Sequence, residues 1–128
     1  MQLLLENIFI SLLTETAQKS QIIDAIDKRN EMKIYYTGDG IISKGWRVIR
    51  PFVFGISIAG NPVVRAYQVS GPSDSKEQPM WRMFRVDKMD SFLPTGNKFD
   101  LSDQNMMQFY NEKGDKNMTA IYKRVELA

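Results

Sequence analysis

The chain contains no cysteine and no histidine. Without thiols there is no disulfide framework, no thiolate nucleophile, and no Cys-ligated zinc or iron–sulfur centre. Without imidazole, the commonest general base and metal ligand is gone, and with it the Ser/His/Asp triads and His-metal hydrolases. No apolar run approaches the roughly 20 residues that a membrane-spanning helix needs. The first basic side chain is Lys19, and the apolar Leu3-Leu4-Leu5 is cut by Glu6 and Asn7, so no export signal and a cytoplasmic setting are expected. Net charge is scarce too: 17 Lys and Arg against 15 Asp and Glu leave +2, too little to announce a polyanion binder.

What remains is an ordinary globular composition. The 128 residues are 43% hydrophobic and 25% charged, enough for one self-sufficient core. The charge is unevenly placed. Residues 43–88 hold eight basic side chains (Lys44, Arg47, Arg50, Arg65, Lys76, Arg82, Arg85, Lys88) against three acids (Asp74, Glu77, Asp87), a local excess of +5. Five of the eight are Arg, whose planar fork matches phosphate and carboxylate and stacks on bases. Scattered surface charge would give the same count.

Three segments are expected: an amphipathic helix over residues 1–19, a barrel-like domain over 20–94 and an extension over 95–128. Leu5, Ile8, Phe9, Leu12 and Leu13 recur at helical spacing, and Leu3, Leu4 and Ile10 widen the stripe. That helix either caps its own domain or docks on a partner through Leu5, Ile8, Phe9 and Leu12. Ser20 can N-cap a second helix through about Arg29, with Ile22, Ile23 and Ile26 inward. From Glu31 the period becomes two, with Met32, Ile34 and Tyr36 on one face. Thr37-Gly38-Asp39-Gly40 then predicts a tight reversal. Trp46 to Arg50 is the returning strand, stopped by Pro51. Ala59-Gly60-Asn61-Pro62 marks a second turn before the strand Val63–Val69, and residues 70–79 are the longest loop. Trp81–Val86 is the next strand, which continues through Met89–Phe92 or turns away before Pro94. Ser102-Asp103-Gln104 starts a short helix bearing Met106, Met107, Phe109 and Tyr110, and Met118–Leu127 is a terminal strand. The fold class is therefore α+β: a small, strongly curved antiparallel sheet or barrel preceded by two short helices, with a C-terminal helix and strand extension.

The order of these pieces resembles a WYL domain over Ile22–Phe92, about 70 residues of the chain. The resemblance is carried by Ile22-Ile23-x-Ala25-Ile26, Met32-x-Ile34-x-Tyr36, Arg47-x-Ile49-x-Pro51, Val63-Val64-Arg65-Ala66-Tyr67 and Phe84-Arg85-Val86-Asp87-Lys88-Met89. The name-giving triplet falls on Pro62, Val63 and Val64 and is absent, and Lys88 stands for the second Arg of the closing signature. The space upstream is too short for the helix-turn-helix that often accompanies the family. The resemblance implies an SH3-like (Sm-like) barrel, in the short free-standing form seen in tailed-phage proteins, and hence a host-cytoplasm or virion setting. It further implies ligand sensing or nucleic-acid binding by polar and basic residues on one barrel face.

Tyr36, Arg47 and Arg85 occupy matching motif positions. Arg50, Arg65, Arg82 and Lys88 join them by charge and by position. Such a face could take single-stranded nucleic acid, with guanidiniums on the backbone and Tyr36, Tyr67 or Trp81 stacking on bases, or an anionic, phosphorylated ligand. Those rings are equally suited to a core, and the Arg residues to structural ion pairs. Asp24, Asp27 and Glu31 lie on one helical face with no convergent partner, and residues 37–40 lack the Gly-Lys-Ser/Thr of a phosphate loop. Asp100 and Asp103 are a faint candidate for magnesium. No catalysis and no cofactor are expected. The second reading is a phage-encoded structural protein that makes a homo-oligomer or joins another phage protein through its amino-terminal helix and Met-rich tail, with no membrane involved.

Overall fold

A computed structural model describes residues 17–72, 81–111 and 114–126. The architecture is α+β, with one six-stranded antiparallel sheet and few helices. The amino-terminal helix stripe, Leu5, Ile8, Phe9 and Leu12 included, lies outside the described residues. Helix α1 (17–28) is already helical at Ala17, so Ser20 sits within it rather than capping it. Ile22, Ala25 and Ile26 are buried at i, i+3 and i+4. Ile23, expected inward, is 37% exposed because it falls one position off that stripe. The helix stops at Arg29, whose φ of 56° is left-handed, and the chain turns directly into β1.

Strand β1 (Asn30–Tyr36) buries Met32, Ile34 and Tyr36, as the alternation predicts. The reversal after it is a loop over 37–44 rather than a tight turn, because Asp39 organises it. The Asp39 Oδ1 accepts from the backbone N–H groups of Ile41 and Ile42 at 2.8 and 2.7 Å.

Strand β2 (Gly45–Ser57) runs straight through Pro51, which does not stop it. The reason is a change of neighbour. β1 pairs with β2 as far as Ile49, and β6 (Met118–Arg124) takes the same edge from Val53. Pro51 falls in the gap, beside a register shift in the pairing with β3 (Pro62–Ser70), where a missing N–H costs least. Likewise β5 (Met89–Lys98) continues through Pro94, which is tolerated because β5 is an outer strand. Between β4 (Trp81–Arg85) and β5 lies a single 3-10 turn, Val86–Lys88. Helix α2 (Gln104–Met107) is capped by Asp103 and is shorter than expected, so Phe109 lies beyond it and is exposed.

The strand order is β4-β3-β2-β1-β5, with β6 added on β2. In a flat sheet β1 and β4 would stand roughly 14 Å apart, three strand spacings. Yet the Tyr36 hydroxyl on β1 accepts from the Arg85 backbone N–H at 2.9 Å, and the Tyr36 and Phe84 rings meet edge to face at 5.0 Å. The sheet is therefore strongly curled, although β4 and β5 form no ladder with each other and it is not closed. Inside the curl lie Ile34, Ile49, Phe54, Val64, Ala66 and Phe84. The same apolar core joins the tail to the sheet: Phe52 meets Trp81, Phe99 and Tyr110 at 4.8–5.0 Å, and Trp81 Nε1 donates to the Met106 carbonyl at 3.1 Å. The terminal strand thus extends this chain's own sheet, and the segment around α2 covers it.

Candidate anion-binding cavity

The β3–β4 ribbon pairs Val63 with Arg85 and Arg65 with Met83. Directly opposed residues share a face, so these four form a checkerboard: two Arg on one diagonal, two apolar side chains on the other. Above it lies a cavity of about 470 Å³, completed by Asp39, Ile41 and Ile42 of the 37–44 loop, Ile58 and Asn61 near the β2–β3 turn, and Arg82. Arg65, Arg82 and Arg85, three of the seven cationic or aromatic candidates, thus line one concavity. Its volume is that of a small-molecule site.

The three guanidiniums differ in how firmly they are held. Arg65 makes a bidentate pair with Asp115, at 2.7 Å from Nε and 3.2 Å from Nη2, and both side chains are mostly enclosed. Burial alone would raise the Asp115 carboxyl. The Arg65 hydrogen bonds, the Asn117 N–H and the neighbouring cations outweigh it and hold the group below the usual carboxylate range. Arg85 pairs with Asp87 at 2.7 Å, but the two side chains are 35% and 53% exposed, so water and other anions compete for it. Arg82, opposite Ala66 on the outer strand, is only 4% exposed.

Asp39 is the cavity's own carboxylate. Desolvation pushes it up, but the Ile42 N–H, the Tyr36 hydroxyl, the Ile41 N–H and the Arg85 charge together hold it below its ordinary value, so it stays ionised. Its Oδ2 accepts from the Tyr36 hydroxyl at 2.7 Å. Tyr36 is fully buried, and that burial raises its own ionisation well above the usual phenol range. Tyr36 therefore does not face a ligand. It ties the loop and β4 to the floor of the cavity.

The other candidates lie elsewhere. Arg47, expected on an exposed face, is 1% exposed. Its guanidinium donates to the Ser43 carbonyl at 2.6 Å, the Pro72 carbonyl at 2.7 Å and Gln68 Oε1 at 2.6 Å, and lies over Phe84. Arg50 faces Glu31 at 3.5 Å and Asp103 at 3.8 Å, with Tyr67 beneath it. Lys88 contributes its carbonyl, which accepts from the Thr37 N–H, and does not line the cavity. Tyr67 and Trp81 are members of the aromatic cluster. Asp39, Asp115, Ile41, Ile58 and Met83 were not singled out from the sequence. An Asp between two glycines signals a self-bonded loop, but nothing local links Asp115 to an Arg 50 residues away.

Among the described residues, no group of three or more Asp, Glu, His or Cys side chains is placed to hold a metal, and no helix is long and apolar enough to cross a membrane. No family model, curated protein or solved structure matches the chain, so its function has to be read from the chemistry of this cavity.

Proposed function

We propose that this chain is a non-enzymatic, WYL-like binding module that takes a small anionic ligand, such as a phosphorylated metabolite, in the Arg65–Arg82–Arg85 cavity. The observation that carries the reading is the placement of Arg65 and Arg85, from two neighbouring strands, on one face of a concavity of about 470 Å³ that Arg82 also borders. The strand order, with a 3-10 turn between β4 and β5, supports an SH3-like, Sm-like barrel as the finer description of the sheet. A small ligand is favoured over a nucleic-acid strand because none of the described residues lining the cavity is aromatic, so the stacking half of single-strand recognition is missing there. Among the described residues lining the cavity, Asp39 is the one carboxylate, and it is held ionised by three donors.

Calorimetric titration of the full chain with pyrophosphate and with an octathymidylate tests this. Pyrophosphate is expected to bind, more weakly as salt rises, and Arg85→Ala to weaken it by about tenfold or more, the value of one charge-assisted contact. Binding indifferent to Arg85→Ala would overturn the proposal. An octathymidylate far tighter than pyrophosphate would favour the single-strand reading.

The second reading, a structural protein of a phage or other assembly, draws on the exposed outer face of the sheet, where Trp46 is 49% and Leu93 54% exposed. A monodisperse monomer at roughly ten micromolar by light scattering, well above the Kd of a stable assembly, counts against it.

A further inference from the structure

A phosphate group is only a few times the size of a water molecule, whose share of volume is roughly 30 Å³, and leaves most of the 470 Å³ cavity unfilled. The rest of the wall is hydrocarbon. Val63 and Met83 occupy the apolar diagonal of the ribbon, and Ile41 and Ile58 stand at the mouth with 83% and 68% of their surface in water. These two are the most exposed large hydrophobic side chains among the described residues, they come from two different connections, and both line the same cavity. Single exposed apolar residues need no explanation, but two flanking a cationic cavity do.

We infer that the ligand is amphiphilic: an anionic head, phosphate or carboxylate, carrying a short apolar body. This rests on the anion-binding reading above and adds the chemistry of the rest of the ligand. The head exchanges with Asp87 as the partner of Arg85, the cation held by the most solvated of the cavity's ion pairs. Arg65 keeps Asp115 and closes the far corner of the checkerboard as a neutralised pair. The body lies across Val63 and Met83 and is covered by Ile41 and Ile58, which lose water as it enters. Asp39, anchored by the Ile41 and Ile42 N–H groups, fixes the loop that carries Ile41 at the mouth.

The test is a homologous series titrated calorimetrically into the full chain: inorganic phosphate, then methyl, butyl and hexyl phosphate, with 1-hexanol as the uncharged control. Affinity is expected to rise with chain length, by up to about fourfold per buried methylene. Ile58→Ser is expected to flatten that rise. Arg85→Ala is expected to weaken every member by a common factor, changing the intercept and not the slope. Ile41→Ser is the second variant should Ile58→Ser fail to unfold cooperatively. Phosphate and hexyl phosphate binding equally would overturn the amphiphile inference and leave the anion site standing, as would a slope intact in both serine variants. No binding by any phosphate, or 1-hexanol matching hexyl phosphate, would overturn the anion site itself and this inference with it.

Discussion

Replacing Arg47 by Met separates structural from ligand-facing arginines. The side chain joins three segments: Ser43 at the end of the β1–β2 loop, Gln68 in β3 and Pro72 beyond it, all within 2.7 Å of its nitrogens. Methionine keeps an unbranched stem over Phe84 but removes every donor. Charge-assisted hydrogen bonds contribute about 1.5–3 kcal/mol each, so three would total several kcal/mol. Against that stands the desolvation of a buried guanidinium, itself several kcal/mol, which the substitution recovers. Gln68 Nε2 still donates to the Pro72 carbonyl at 2.8 Å, and Ser43 is exposed enough to hydrate. The net loss is therefore about 2–4 kcal/mol. In urea, with an m-value near 2 kcal/mol/M for a chain of this size, the midpoint falls by roughly 1–2 M. Tryptophan fluorescence reads the transition, since Trp81 is buried. Binding of pyrophosphate to the folded fraction is expected to persist. A midpoint unchanged together with abolished binding would refute the assignment and return Arg47 to the ligand site.

Two further predictions rest on single contacts. Tyr36→Phe loses the bonds to Asp39 and the Arg85 N–H and is expected to cost about 1–3 kcal/mol. Because burial raises the Tyr36 ionisation in the folded state, the unfolded chain releases that proton first, at about pH 10. Stability conferred below that pH is thus lost as pH rises beyond it, and the Phe variant should lack this part of the slope in urea titrations between pH 9 and 11, roughly the window around a free phenol. Gly55→Ala would place a methyl group against the Ala120 carbonyl, a backbone atom that yields only if β6 moves. Faster amide exchange across Met118–Arg124 is expected, with β1 protected as in the parent; unchanged exchange in β6 would refute the close approach.

The period-two pattern of residues 32–36, the Gly60 turn and the strands that follow are legible because they depend on local alternation and turn chemistry. Pro51 and Pro94 are misleading for a definite reason. A proline stops a strand only where a neighbour needs its N–H, and which neighbour lies alongside is tertiary information. The convergence of Arg65, Arg82 and Arg85 is partly legible, since Arg65 and Arg85 sit on strands joined by one loop. The burial of Arg47 is not. It depends on carbonyls at Ser43 and Pro72 that no pattern around residue 47 announces. Tyr36 shows the same limit: its hydroxyl is satisfied by β4, which joins β1 only because the sheet curls.

The curl also decides what the basic middle segment is worth electrostatically. Its excess of +5 is balanced by −3 in the flanks, and folding brings those flanks back onto it. Glu31 and Asp103 face Arg50, and Asp115 clasps Arg65, all three acids lying outside residues 43–88. The long-range field of the segment is thereby reduced, and with it the capacity to gather a polyanion from a distance. What survives is short-range: a guanidinium at Arg85 with a solvated partner, beside hydrocarbon that a ligand can cover. On the proposed reading, the site selects by shape and by one well-placed charge. Its affinity should therefore respond more steeply to the apolar body of a ligand than to additional phosphates along a chain, the opposite of what counterion release from a strand would produce.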